Sequence, residues 1–204
     1  PIGNLSDISK RALHILDNVF LIACEDTRQT IKIMNKFNIS NNMESFNEHN
    51  SFKKIPIIVN YLKEGKSIAL VSDAGMPGIC DPGEELVKFT RNAGYDVICI
   101  PGACAAITAL VSSGLPSSKF IFEGFLPKKK IDREKTLLEI SKNVKTTIIF
   151  ESPHRLNKLL KELKKFCGGS RKIQISKELT KKFEEHIGKN INEVIEFFEN
   201  KDPI

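Results

Sequence analysis

Residues 71–83 read V-S-D-A-G-M-P-G-I-C-D-P-G and follow a short apolar run, S-I-A-L-V, at residues 67–71. The run has the length and character of a buried strand. The twelve residues after it hold three glycines, two prolines and two aspartates, so they neither extend a strand nor start a long helix. Glycine permits positive φ and close backbone approach, whereas proline fixes φ and removes a donor. The product is a stiff, open loop with exposed amides and two carboxylates at the carboxyl end of a strand. In α/β sheets small ligands bind at such ends. The plainer alternative is a βα connection whose Asp81 caps a helix starting at Pro82.

Outward from this loop, strands and helices alternate. Upstream, residues 19–24 (V-F-L-I-A-C) predict a buried strand ending at Glu25-Asp26-Thr27-Arg28. Those four polar residues either reach a site or open a helix with acids near its positive end. A helix to about Phe37 follows, then a polar stretch, residues 38–50, carrying F-N-E-H-N at its end. A helix over 51–63 leads into the central strand. Downstream, residues 84–92 are helical and Gly94 stops them. Residues 96–100 predict another strand, landing on P-G-A-C-A-A at 101–106. Small residues at that turn suit either a flat ligand lying on the backbone or tight helix packing. Repeated alternation of this kind predicts a mostly parallel sheet.

Composition changes at G-L-P-S-S, residues 114–118, which divides the chain into expected domains 1–116 and 117–204. Residues 120–125 predict a strand, followed by Lys128-Lys129-Lys130 and Arg133. Such a run is either solvated surface or a grip on phosphates. A strand over 146–150 ends in E-S-P-H-R, and the next helix sets Leu156, Leu159, Leu160 and Leu163 at i, i+3, i+4 and i+7. A strand over 172–176 meets K-E-L-T-K, and the last helix repeats the spacing at Ile191, Val194, Ile195 and Phe198.

Lys and Arg number 31 against 25 Asp and Glu, giving a net charge of +6 and a pI near 9.0, a balance suited to a polyanionic partner. The five cysteines show no C-x-x-C spacing and are odd in number, which favours free thiols in a reducing cytoplasm. The four histidines are scattered, so no metal site is expected. No apolar run approaches a membrane span and no signal peptide is visible. The chain opens at Pro1 without a methionine, so a start trimmed from a longer protein is expected.

Taken in order, P-I-G-N-L, C-E-D-T-R, F-N-E-H-N, S-D-A-G-M-P-G-I-C-D-P-G, P-G-A-C-A-A, F-E-G-F-L-P, F-E-S-P-H-R and K-E-L-T-K resemble the bacterial ribosomal RNA small-subunit methyltransferase I family over essentially the whole chain. The resemblance implies an α/β, two-domain tetrapyrrole methylase-like fold (a class III methyltransferase), with a mostly parallel sheet in the first domain and a mixed sheet in the second. It implies a cofactor cleft between the domains, no Rossmann glycine loop, and chain at both ends beyond what is present here. It also implies a cytoplasmic homodimer, without membrane or metal, that uses S-adenosyl-L-methionine to methylate a cytidine ribose 2′-hydroxyl in the decoding region of 16S rRNA within the 30S subunit. Met76, Cys80, Ala103 and Lys177 depart from the usual family residues.

By position, the resemblance assigns cofactor contact to Pro1, Asp73, Ala74, Gly75, Met76, Ala103, Cys104 and Phe150. The candidate bases are Glu25, Asp26, Glu48 and His49, and the RNA contacts are Arg28, Lys128, Lys129, Lys130 and Arg155. Two rivals stand beside this expectation. One is a small-molecule tetrapyrrole methyltransferase of the same fold; the other is a non-catalytic RNA-binding factor.

Overall fold

A computed structural model describes residues 1–199, and the chain divides into two compact units, Pro1–Cys104 and Ala105–Ile204. The division falls ahead of the G-L-P-S-S segment, so the helix at Ala105–Ser113 groups with the second unit. Residues 200–204, the end of the expected second domain, lie outside the described part.

In the first unit, strands β1 (Leu21–Cys24), β2 (Met43–Ser45) and β3 (Ile68–Val71) form a parallel sheet in the order β2-β1-β3. All four residues of β1 are buried, as a central parallel strand covered on both faces requires. Its period of two sorts the helices. Ile22 and Cys24 face Leu16 of α1 (Lys10–Asn18) and Met34 of α2 (Thr27–Lys36). Ala23, on the other face, joins Ile55 and Ile58 of α3 (Ser51–Lys63) and Leu86 of α4 (Glu84–Asn92). Ser9 caps α1 by accepting from Ala12 N at 3.1 Å, and Asp26 caps α2 by accepting from Arg28 N at 2.8 Å.

Two local expectations fail here. Residues 96–100 form no strand: residues 95–104 carry no regular secondary structure, and Ile98 is 71% exposed. Their apolar character is that of a strand, but a strand also needs a partner edge, and none pairs with them among the described residues. Asp81 does not cap the following helix. Gly83 takes the N-cap position of α4 with φ +149, and no side chain bonds there. An added Cβ at Gly83 would lie 2.8 Å from Leu70 Cδ2 of β3, so packing against the sheet, not capping, selects glycine at this position.

The second unit opens with α5 (Ala105–Ser113) and continues as two separate ladders. β4 (Phe120–Phe125) and β5 (Thr146–Phe150) pair in parallel, with a bulge between Phe122 and Gly124. β6 (Lys172–Lys177) and β7 (Glu185–Asn190) pair antiparallel. The second unit thus carries both pairing types, but in two distinct two-stranded sheets rather than one. Helices α6 (Lys130–Lys142), α7 (Pro153–Cys167) and α8 (Ile191–Glu199) pack against one another and the strands through Leu137, Leu159, Leu160, Ile191 and Val194. The helical leucine spacing of α7 therefore becomes its buried face. Between the unpaired edges of β5 and β6 runs an apolar groove of about 460 Å³, walled by Ile148, Phe150, Leu160 and Ile175. Thr147 Oγ1 is buried without a partner beside it.

Candidate active site

Because β1, β2 and β3 run parallel, the segments leaving them emerge along one edge of the sheet. These are Glu25-Asp26, Phe46 to Asn50, and the glycine-rich loop starting at Ser72. Backbone bonds continue the ladder just past the strands: Phe46 N donates to Cys24 O at 2.7 Å and Glu25 N to Val71 O at 3.1 Å. Two reciprocal bonds then lock the first and third segments. Asp73 N donates to Glu25 Oε2, and Asp26 N donates to Asp73 Oδ1, each at 3.1 Å. Asp73 is thus held with its Oδ1 engaged by the Asp26 amide.

The candidate bases meet different fates. The Asp26 carboxylate serves as the α2 cap and is gripped by Arg28, with Nη2 at 2.6 Å and Nε at 3.0 Å. Arg28 holds that carboxyl below the usual carboxylate range, which makes Asp26 a poor proton acceptor. In F-N-E-H-N, Phe46 is a core residue at 2% exposure. Asn47 and Asn50 lock the turn by side-chain bonds to backbone amides, while Glu48 and His49 stand exposed on it. Asp81 is partly buried near Glu25 and Asp73; burial first, then those carboxylates, push its carboxyl up, with Ser72 opposing by hydrogen bonding.

The glycine loop folds back through left-handed backbone at Gly75 (φ +83), Gly78 (φ +81) and Cys80 (φ +61). Gly75 N donates to Pro1 O at 3.0 Å. A Cβ on Gly75 would lie 3.4 Å from Ile2 Cγ2 and 3.5 Å from Ala103 O, and one on Gly102 would lie 3.9 Å from Met76 Sδ. The structure therefore brings together Pro1, Gly75, Met76 and Ala103, from three separate stretches, within the first unit. Ala74 O accepts from Ser72 Oγ at 3.4 Å, and Cys104 is half-buried where this segment ends.

Phe150 belongs to the second unit, where its ring packs edge-on against Phe122 and Phe125 and forms part of the groove wall. Just beyond it lies an ion network that the sequence pattern did not single out. Arg133 reaches Glu162 at 2.8 Å and Glu151 at 3.4 Å, while Arg155 bonds Glu151 at 2.7 Å. The Glu151 side chain is only 6% exposed, and Arg133 11%. Arg155, a candidate RNA contact, is thus partly engaged. Lys128, Lys129 and Lys130 are exposed at the start of α6, whose N-cap position has no side-chain bond. Among the described residues, no group of three or more His, Cys, Asp or Glu is placed to hold a metal ion, and no helix is long and apolar enough to cross a membrane.

Comparison with known proteins defines the class. Residues 1–195 match the family described as Tetrapyrrole (Corrin/Porphyrin) Methylases. The fold is shared with the uroporphyrin-III C-methyltransferase of Thermus thermophilus complexed with S-adenyl homocysteine, at TM-score 0.62 and 15% identity, covering 96% of this chain and 87% of that one. The Ribosomal RNA small subunit methyltransferase I of Vibrio cholerae is 48% identical over 99% of this chain and 70% of its own length. That of Thermotoga maritima is 46% identical over the whole of this chain and 91% of its own length. The chain belongs to the tetrapyrrole methylase family and, within it, to the ribosomal RNA small subunit methyltransferase I group.

Proposed function

We propose that this protein transfers a methyl group from S-adenosyl-L-methionine to the ribose 2′-hydroxyl of a cytidine in the decoding region of 16S rRNA, acting in the cytoplasm on the 30S subunit as a homodimer. The observation that carries this is the cradle at Gly75. Left-handed backbone at Gly75, its N–H bond to Pro1 O and the nearness of Ile2 and Ala103 O bring main chain from three stretches together. That fits a cofactor held largely by main-chain atoms. S-adenosylmethionine, when bound, supplies a methyl group on a sulfonium, whose charge is neutralised on transfer.

The residues of this chain do the rest. Gly75, Ala74, Met76, Ala103 and Cys104 line the approach, with Pro1 at its rim and Phe150 offering an aromatic surface in the second unit. Asp73 keeps one carboxylate oxygen free of Asp26 N to accept from a ligand hydroxyl or ammonium. Glu25, Glu48 and His49 are the groups assigned to take the 2′-hydroxyl proton. Asp26, clamped by Arg28, positions the first segment instead. Much of the rate comes from alignment and exclusion of water, with base assistance adding to it. The target ribose is presented on an unpaired nucleotide, because a paired 2′-hydroxyl is hard to align for in-line attack. Lys128, Lys129 and Lys130 hold phosphates.

Calorimetry tests the cofactor half: the protein is expected to bind S-adenosylmethionine and S-adenosylhomocysteine at one site per chain. No heat with either ligand would contradict the proposal. Sequencing of the modified RNA tests the target, with a single ribose-methylated cytidine as the expected product.

A further inference from the structure

The outer face of α7 carries four lysines that no assignment above uses. Lys158, Lys161, Lys164 and Lys165 are all exposed, with His154 and Arg155 at the helix start. The helix has one carboxylate, Glu162, which borders the lysines and is bonded by Arg133 at 2.8 Å. Glu162 stands at i+4 from Lys158, but it is the one acid beside four lysines and Arg133 already engages it. Lys161 and Lys165 are a like-charge pair at i, i+4, and Lys158–Lys161 and Lys161–Lys164 are pairs at i, i+3. Each such pair costs the helix a few tenths of a kcal/mol. The favourable position of Lys164 and Lys165 in the last turn offsets part of that cost, but not the part contributed by Lys158 and Lys161.

We infer that this face is a second RNA-backbone contact, which extends the phosphate grip of Lys128 to Lys130 along α7; the inference rests on the RNA substrate proposed above. Charge complementarity carries the choice of occupant. The eight residues from Lys158 to Lys165 cover about 10 Å of helix axis, so four amines on flexible stems reach several successive phosphates. The two basic groups are also joined mechanically. Arg133, one turn into α6 from the lysine run, bonds both Glu151, ahead of α7, and Glu162 within it. The buried face of α7, Leu159, Leu160 and Leu163, fixes the stripe outward. Lysines in this arrangement read no bases, so the contact adds affinity and orientation without sequence preference.

The test replaces Lys158, Lys161, Lys164 and Lys165 together by glutamine in the full chain, a change nearly neutral for helix propensity. Binding to small-subunit rRNA is titrated between 50 and 200 mM salt, a range set by the usual sensitivity of such contacts, at roughly 0.7–0.9 log units of slope per phosphate. The log–log salt slope is expected to become shallower by about 3. The same four positions changed to arginine should keep the parent slope. A control removing four exposed charges from the first unit, Lys36, Lys53, Lys63 and Lys88, should change the slope by less than about 1. S-adenosylmethionine affinity should stay within about twofold in all variants, since none of these lysines is assigned to the cofactor. An unchanged slope in the α7 variant, or an equal change in the control, overturns the inference while leaving the methyltransferase proposal standing. Parent protein that binds no small-subunit rRNA overturns both. Stripe-dependent binding to anionic phospholipid vesicles with RNA binding unaltered would assign the face to a lipid surface and also overturn it.

Discussion

The two units handle charge and backbone in opposite ways. In the first, the candidate site is made of main-chain atoms and short carboxylates, fixed by bonds such as Asp73 N to Glu25 and Gly75 N to Pro1 O. In the second, most candidate RNA contacts are long cations at helix starts, and the least exposed ion pair among the described residues joins Arg133 to Glu151. A site built of backbone fails abruptly when geometry changes. A surface built of lysines loses affinity in steps, one charge at a time, and in a manner that salt reports. The comparison can therefore be broken by finding graded losses in the first unit or abrupt, salt-independent ones in the second.

The largest effect is expected at the buried ion network. Arg133→Met leaves Glu151, 6% exposed, with Arg155 as its remaining cation, and strips Glu162 of its partner. Breaking such a pair costs about 3 kcal/mol, to be read from urea unfolding. Adding Glu151→Gln and Glu162→Gln to Arg133→Met should recover most of that loss, because the uncompensated charge rather than the missing attraction dominates the cost.

Gly75→Val comes next. A β-branched residue at φ +83 is strained by about 1–2 kcal/mol, and its branches would extend beyond a Cβ already in contact with Ile2 and Ala103 O. S-adenosylmethionine binding is expected to fall by about a hundredfold or more, roughly the strain plus the displaced backbone contact. The salt slope of RNA binding should not move. Gly75→Ala should fall between the parent and valine. If alanine and valine both bind the cofactor at parent strength, the main-chain cradle is not the site.

Replacing Lys128, Lys129 and Lys130 together by alanine should lower the RNA salt slope by about 2 and leave cofactor affinity unchanged. Equal loss of both affinities would mean that the run supports the fold.

The smallest effect belongs to Asp81. Its carboxyl is pushed up by burial and by Glu25 and Asp73, so the folded state favours the protonated form. The sign follows directly: the stabilisation is fully present below the unfolded carboxyl value, near 3.9 for Asp, and is lost as pH rises through the raised folded value. Asp81→Asn should therefore be slightly more stable than the parent at neutral pH and lose this advantage in acid. Unfolding midpoints at pH 3 and pH 7 check the crossing, and a variant less stable at neutral pH would show that the ionised carboxylate is needed.

Much of this arrangement is legible in the amino-acid order because the relevant signals are local. Glycines and prolines at residues 75–83 dictate an open loop whatever surrounds it, and β1 and α3 declare themselves by apolar run and periodicity. What escapes depends on partners far along the chain. β2 is three residues containing Glu44 inside a polar stretch, and it becomes a strand only because β1 lies beside it. Conversely, residues 96–100 have a strand's composition but no edge to pair with among the described residues. β7, E-H-I-G-K-N, is polar at most positions and is recruited by β6 across the hairpin. Arg133 looks like the end of a basic run, and its burial against Glu151 and Glu162 is visible only once α6 and α7 pack together. The same holds for Asp26 and Arg28. Two positions apart in a polar cluster, they read as separate catalytic and RNA-binding candidates, yet the folded helix start binds them to each other.

Transfer of labelled methyl from S-adenosylmethionine, offered in parallel to 30S subunits, naked 16S rRNA and a tetrapyrrole, tests the central claim most directly. The account predicts label in the small-subunit RNA, on a ribose, and none in the tetrapyrrole. Label in the tetrapyrrole with the RNA left unmodified would contradict it.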